Sequence, residues 1–105
     1  MPSLREKKRY IAFKVVSNQE IKSGDAKKGI EATMRCFLGD LGMAKVGILF
    51  LKDWKNNTGI MRVNTKYVDE AKAGLALVQK INDKKVIVKS VHVSGMIDKV
   101  RNSCF

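Results

Sequence analysis

The run Tyr10–Val16 alternates strictly, with Ile11, Phe13 and Val15 on one side and Tyr10, Ala12, Lys14 and Val16 on the other. A period of two in such a β-branched and aromatic run is the signature of a strand with two different faces. Arg5, Lys7, Lys8 and Arg9, opposed only by Glu6, lead straight into it. A cationic arm therefore feeds a strand that belongs at the centre of a sheet.

The remaining elements follow from spacing. Ser23 or Asp25 offers a short side-chain oxygen to cap a helix, in which Ile30, Met34, Phe37, Leu38 and Leu41 make one apolar face and Gly39 and Gly42 bracket the end. Lys45–Trp54 reads as a second strand, apolar on both faces through Val46, Ile48 and Phe50 and through Leu49 and Leu51. Lys55–Gly59 is a hairpin turn rich in residues that accept positive φ. A third strand over Gly59–Asn64 sets Met61 and Val63 against Ile60, Arg62 and Asn64.

Asn64 or Thr65 then caps a second helix over Lys66–Ile81, with Asp69 and Glu70 at its positive end and Val68, Ala71, Leu75, Val78 and Ile81 on its buried side. Lys85–Val93 is a fourth strand whose apolar phase changes between Val88 and Val91, the mark of a bulge. Met96–Arg101 makes a last short amphipathic helix. The order strand, helix, strand, strand, helix, strand predicts an α+β, ferredoxin-like or RRM-like βαββαβ sandwich. Its four-stranded antiparallel sheet carries both long helices on one face. The first and third strands are central, so Lys14 and Arg62 share the open face with Tyr10 nearby. The 105 residues suit one domain, 1–105, with a basic N-terminal arm, 1–9.

Charge narrows the function. Lys and Arg number 21 against 10 acidic residues, a net +11 that calls for a polyanionic partner. No apolar run reaches the roughly 20 residues of a membrane span. No secretory signal follows the basic start. Cys36 and Cys104 form no CxxC pair and read as reduced thiols, Cys36 as a small buried apolar residue, in a cytoplasmic protein.

Catalytic constellations are missing from the pattern. His92 has no companion at ligand or nucleophile spacing and reads as a strand-face residue. The carboxylates Asp40, Asp53, Asp69, Glu70 and Asp98 fall mostly at helix ends and turns, and no phosphate-cradling glycine loop occurs. The chain is expected to be non-catalytic, with neither a catalytic nor a metal site and no cofactor of its own.

The site residues expected from the pattern are therefore cations. Arg5, Lys7, Lys8 and Arg9 can follow a phosphate backbone, with Lys14 and Lys66 adding charge. Arg62 in mid-strand is either paired across strands or offered as a fork to phosphate oxygens. The third strand has no aromatic residue, so base stacking of the RRM kind is not expected, and structured RNA read through phosphate and shape fits better. The two-sided apolar second strand, through Ile48, Phe50 and Leu51, needs cover from the C-terminal segment Met96–Phe105, from a partner protein, or from both.

Four stretches carry a family resemblance: Leu4–Phe13 (LREKKRYIAF), Phe37–Gly42 (FLGDLG), Thr58–Asn64 (TGIMRVN) and Val93–Val100 (VSGMIDKV). Together they resemble the Pop five family of small ribonuclease P subunits, whose archaeal members are called protein component 2. Val63 stands where that family often carries Cys, and Met96 where it carries Thr. The resemblance implies a role in removing tRNA 5′ leaders, with phosphodiester hydrolysis performed by the ribonuclease P RNA and its Mg²⁺. It implies contact with that RNA and with precursor tRNA. It also implies pairing with a TIM-barrel-like protein subunit and self-association within a two-plus-two heterotetramer. The rival reading is a ferredoxin-like regulatory module that binds a small anionic ligand. A stand-alone nuclease is disfavoured by the lack of a carboxylate cluster.

Overall fold

The computed structural model describes residues 7–105. β1 (Lys8–Val16) lies between β3 (Thr58–Asn64) and β6 (Ile87–Ser94), and β2 (Leu49–Lys55) flanks β3, giving the antiparallel order β2-β3-β1-β6. α1 (Ser23–Val46) and α2 (Val68–Ala76) pack on one face of this sheet. The arrangement is the expected ferredoxin-like α+β sandwich, with β1 and β3 central.

The alternation in β1 decides which side is core. Ile11, Phe13 and Val15 are buried with Met61 and Val63 of β3, Ile30 and Met34 of α1, and Ala71 and Leu75 of α2. Phe13 meets Phe50 edge-on at 6.1 Å and Trp54 at 6.2 Å, and Trp54 Nε1 donates to the Ile21 carbonyl at 3.1 Å. These contacts hold β2 to the sheet although its pairing with β3 slips between Phe50 and Trp54.

The other face is not open throughout. α3 (Ile97–Cys104) lies across it, and Val100 is fully buried against Ala12 and Ile60, with Tyr10, Leu51, Ile97 and Cys104 around them. Arg101 of α3 donates to both carboxylate oxygens of Asp53 on β2, at 2.9 and 3.2 Å. That bond, and then the charge on Asp53, raises the Arg101 pKa above its ordinary value. The C-terminal segment thus supplies cover for the second strand.

Several expected boundaries shift. α1 does not stop at Gly39 or Gly42. Gly39 has φ 73° and ψ 174°, which breaks the helix, but the helix resumes and ends only at Gly47, φ 63°. Lys45 and Val46 are therefore helical, and the strand expected from Lys45 begins at Leu49. Phe37 before the break and Leu41 after it are exposed, while Val46 is buried. Cys36, expected inside, is exposed. Lys22 occupies the N-cap of α1, and neither Ser23 nor Asp25 makes a side-chain capping bond.

The second helix is shorter than its apolar spacing predicts. A 3-10 turn (Thr65–Tyr67) precedes α2, and neither Asn64 nor Thr65 caps it through a side chain. Beyond Ala76 the chain turns into a small hairpin, β4 (Lys80–Ile81) and β5 (Lys84–Lys85). Its two turn residues, Asn82 and Asp83, both have positive φ, as do Asn56 and Asn57 between β2 and β3. Val78 and Ile81 reach the core from this turn and hairpin, not from a helix. The bulge lies where the phase change placed it: Ala12 pairs with His92 and Phe13 with Ser90, so Val91 is the extra residue.

Candidate nucleic-acid interface

Cations collect where β1 begins and β3 ends. Asn64, 6% exposed at the end of β3, donates through Nδ2 to the Lys45 carbonyl at 2.7 Å. Its Oδ1 accepts from Lys8 Nζ. This one amide ties the last turn of α1 to the start of β1. Gly47 allows the approach: a Cβ there would sit 3.0 Å from Asn64 Nδ2, and its left-handed backbone already favours glycine. The Thr65 amide donates to the Lys7 carbonyl at 2.8 Å, which brings Lys66 beside the same end. Arg9 passes over Gly95, where an added Cβ would lie 3.3 Å from Nη1.

Arg62 sits across from Tyr10 on β1 and Leu49 on β2. Its Nε is buried and has no hydrogen-bond partner. The neighbouring Thr65 Oγ1 is likewise buried and unpaired. Orphaned buried donors are costly and uncommon, so an Arg62 Nε held this way is a group awaiting an acceptor. Among the described residues the ion pairs are Arg35–Asp40 and Arg101–Asp53. Lys7, Lys8, Arg9, Lys45, Arg62 and Lys66 enter neither, and Lys8 Nζ donates to the neutral amide of Asn64.

The structure thus places Lys7, Lys8, Arg9, Arg62 and Lys66 at one end of the sheet, with Lys8 and Arg62 in phase on one face of it and Arg9 in the opposite phase. Arg5 lies outside the described residues. Lys14 is not part of this group: six residues along β1 carry it about 20 Å away, to the opposite end of the sheet. Lys45 was missed because it was assigned to a strand; a helix break at Gly39 was the signal that would have placed it. Of the apolar residues expected to meet a partner, Ile48 and Phe50 pack on the core and Leu51 packs beneath α3. Phe37, Leu41 and Leu49 are the exposed apolar residues on the neighbouring elements.

No group of three or more His, Cys, Asp or Glu is placed to hold a metal ion among the described residues. No helix among them is long and apolar enough to cross a membrane. The arrangement can bind and position an anion through guanidinium, ammonium and amide donors.

A family model described as the Rpp14/Pop5 family matches residues 9–105. The chain belongs to the Rpp14/Pop5 family. Among curated relatives, the Ribonuclease P protein component 2 of Thermococcus kodakarensis is 40% identical over 101 residues, covering 95% of this chain and 84% of that protein. The protein of the same name from Methanocaldococcus jannaschii is 36% identical, covering 95% and 74%. The fold is similar to that of a chain in the cryo-EM structure of yeast Ribonuclease MRP, with a TM-score of 0.72 at 13% identity over 97% of this chain and 94% of that one. Of the cationic end described above, Arg9, Lys45, Arg62 and Lys66 fall inside the matched span, and Lys7 and Lys8 lie just before it.

Proposed function

We propose that this chain is a non-catalytic protein subunit of ribonuclease P, supporting the RNA that removes tRNA 5′ leaders. The observation that carries the reading is membership of the Rpp14/Pop5 family across residues 9–105, with relatives that are themselves Ribonuclease P protein component 2. The cations at the start of β1, which enter neither ion pair of the described residues, fit the role. Each phosphate they neutralise releases counterions, and the loss of repulsion lets compact RNA and its Mg²⁺ sites form at lower salt. In this reading Mg²⁺ belongs to the RNA, and the protein binds no cofactor.

Precursor tRNA, a TIM-barrel-like protein subunit and a two-plus-two heterotetramer in the cytoplasm complete the proposed setting. Exposed Phe37, Leu41 and Leu49 are suited to protein contact. No observation favours the rival small-anion module. The test is purification of the full chain from its own cells, followed by sequencing of the RNA that comes with it. Enrichment of one RNA able to cleave precursor tRNA when reconstituted supports the reading. Recovery of small anionic metabolites without RNA overturns it.

A further inference from the structure

The far end of the sheet carries a second set of cations that the first does not explain. Register puts Lys55 of β2, Thr58 of β3, Lys14 of β1 and Lys89 of β6 in one row on the face that α3 leaves uncovered. Paired residues on adjacent strands point to the same side, and three interstrand steps make the row about 14 Å long. Lys14 and Lys89 are direct cross-strand partners, an arrangement that like charges disfavour. Lys14, Lys55 and Lys89 are exposed, and none enters either ion pair of the described residues.

The next row outward is apolar. Val16 and Ile87 are paired and 42% and 59% exposed. They form one wall of a cleft of about 470 Å³. Its other wall comes from the β4–β5 hairpin, including the cross-strand pair Lys80 and Lys85, with Asn18 and Gln79 at its rim. Lys80 and Lys85 thus line an apolar slot edged by two amides, Lys14 and Lys89 stand in the row behind it, and Lys55 extends that row across the sheet. A duplex presents only phosphates and groove edges to such a surface. An unpaired nucleotide offers a base face to the slot, base edges to the amides and phosphates to the ammonium groups.

We propose that this end binds an unpaired segment of RNA, with a base seated between Ile87 and the β4–β5 hairpin and its phosphates along Lys14, Lys55 and Lys89. The choice of RNA over other polyanions rests on the reading given under Proposed function. The site lies about 20 Å from the Lys8 end, so one subunit joins two stretches of the same RNA.

The test measures full-chain binding to an eight-residue oligouridylate and to an RNA duplex of equal length, by fluorescence anisotropy across a salt series. The wild-type chain is expected to favour the single strand. Lys14→Gln, Lys55→Gln and Lys89→Gln together are expected to weaken it about tenfold or more and to lower the salt slope by about two, near 0.7 per lost phosphate contact. The three single variants, each lowering the slope by about 0.7, keep the result readable if the triple variant melts early. Ile87→Glu is expected to abolish the preference for the single strand. Equal or tighter duplex binding overturns the proposal, as does an unchanged slope in the lysine variants. Competition by polyglutamate as effective as by the oligonucleotide assigns the surface to acidic proteins and overturns it too. Failure here with a specific RNA still co-purifying leaves the ribonuclease P reading standing. Row-dependent oligonucleotide binding without any co-purified RNA sinks that reading and spares this one.

Discussion

Arg62 is the side chain whose structural cost and functional use separate most cleanly. Its buried Nε has no partner, so Arg62→Met removes an unsatisfied donor and keeps the stem that packs between Tyr10 and Leu49. Thermal or urea unfolding is expected to show no loss of stability and a gain of up to about 1–3 kcal/mol. RNA affinity is expected to fall, with the salt slope smaller by about one. A large loss of stability with unchanged RNA binding would make Arg62 a structural residue. Asn64 should behave in the opposite way. Asn64→Ala removes the bond to the Lys45 carbonyl and the anchor for Lys8, and is expected to cost about 1–3 kcal/mol in a urea melt. The importance of Arg62 was visible in its sequence position, since a guanidinium in a central strand demands an explanation. The role of Asn64 was not. It reads as a helix cap until the chain folds and brings Lys45 to it across 19 positions of sequence.

At the scale of elements, local periodicity was informative where one face is buried and misleading where a helix changes direction. β1 and β3 were legible because alternation and burial coincide. The bulge at Val91 was legible for the same reason, since an extra residue must shift the phase. α1 and β2 were confused because glycine both ends helices and bends them, and Gly39 does the second. Its φ of 73° with ψ of 174° belongs to a region that only glycine occupies readily. Gly39→Ala is expected to destabilise by about 1–3 kcal/mol, read in a thermal melt. α2 was drawn too long because Leu75, Val78 and Ile81 keep helical spacing, although the last two reach the core from a turn and a two-residue strand. α3 depends on a single buried anchor. Val100→Asp is expected to release it, and hydrogen exchange should accelerate in α3 and in the neighbouring amides of Ala12 and Ile60 while α1 stays protected.

Across the whole molecule, the +11 charge announced a polyanion, but only the register divides that charge into two groups at opposite ends of β1. Groups so far apart, touching different stretches of the RNA, contribute independently. Neutralising Lys7, Lys8 and Arg9, and separately Lys14, Lys55 and Lys89, should therefore give losses of RNA binding free energy that add within about 0.5 kcal/mol in the combined variant, measured by anisotropy. Strong coupling would mean that both sets compete for the same phosphates. The order β2-β3-β1-β6 has a further consequence for how this chain survives at high concentration. Its two outer strands are each spoiled as templates, β2 by the slip between Phe50 and Trp54 and β6 by the extra Val91 and by Lys89. Copies that collide edge to edge meet strands bent by these irregularities and carrying like charge, which works against growth of the sheet past four strands.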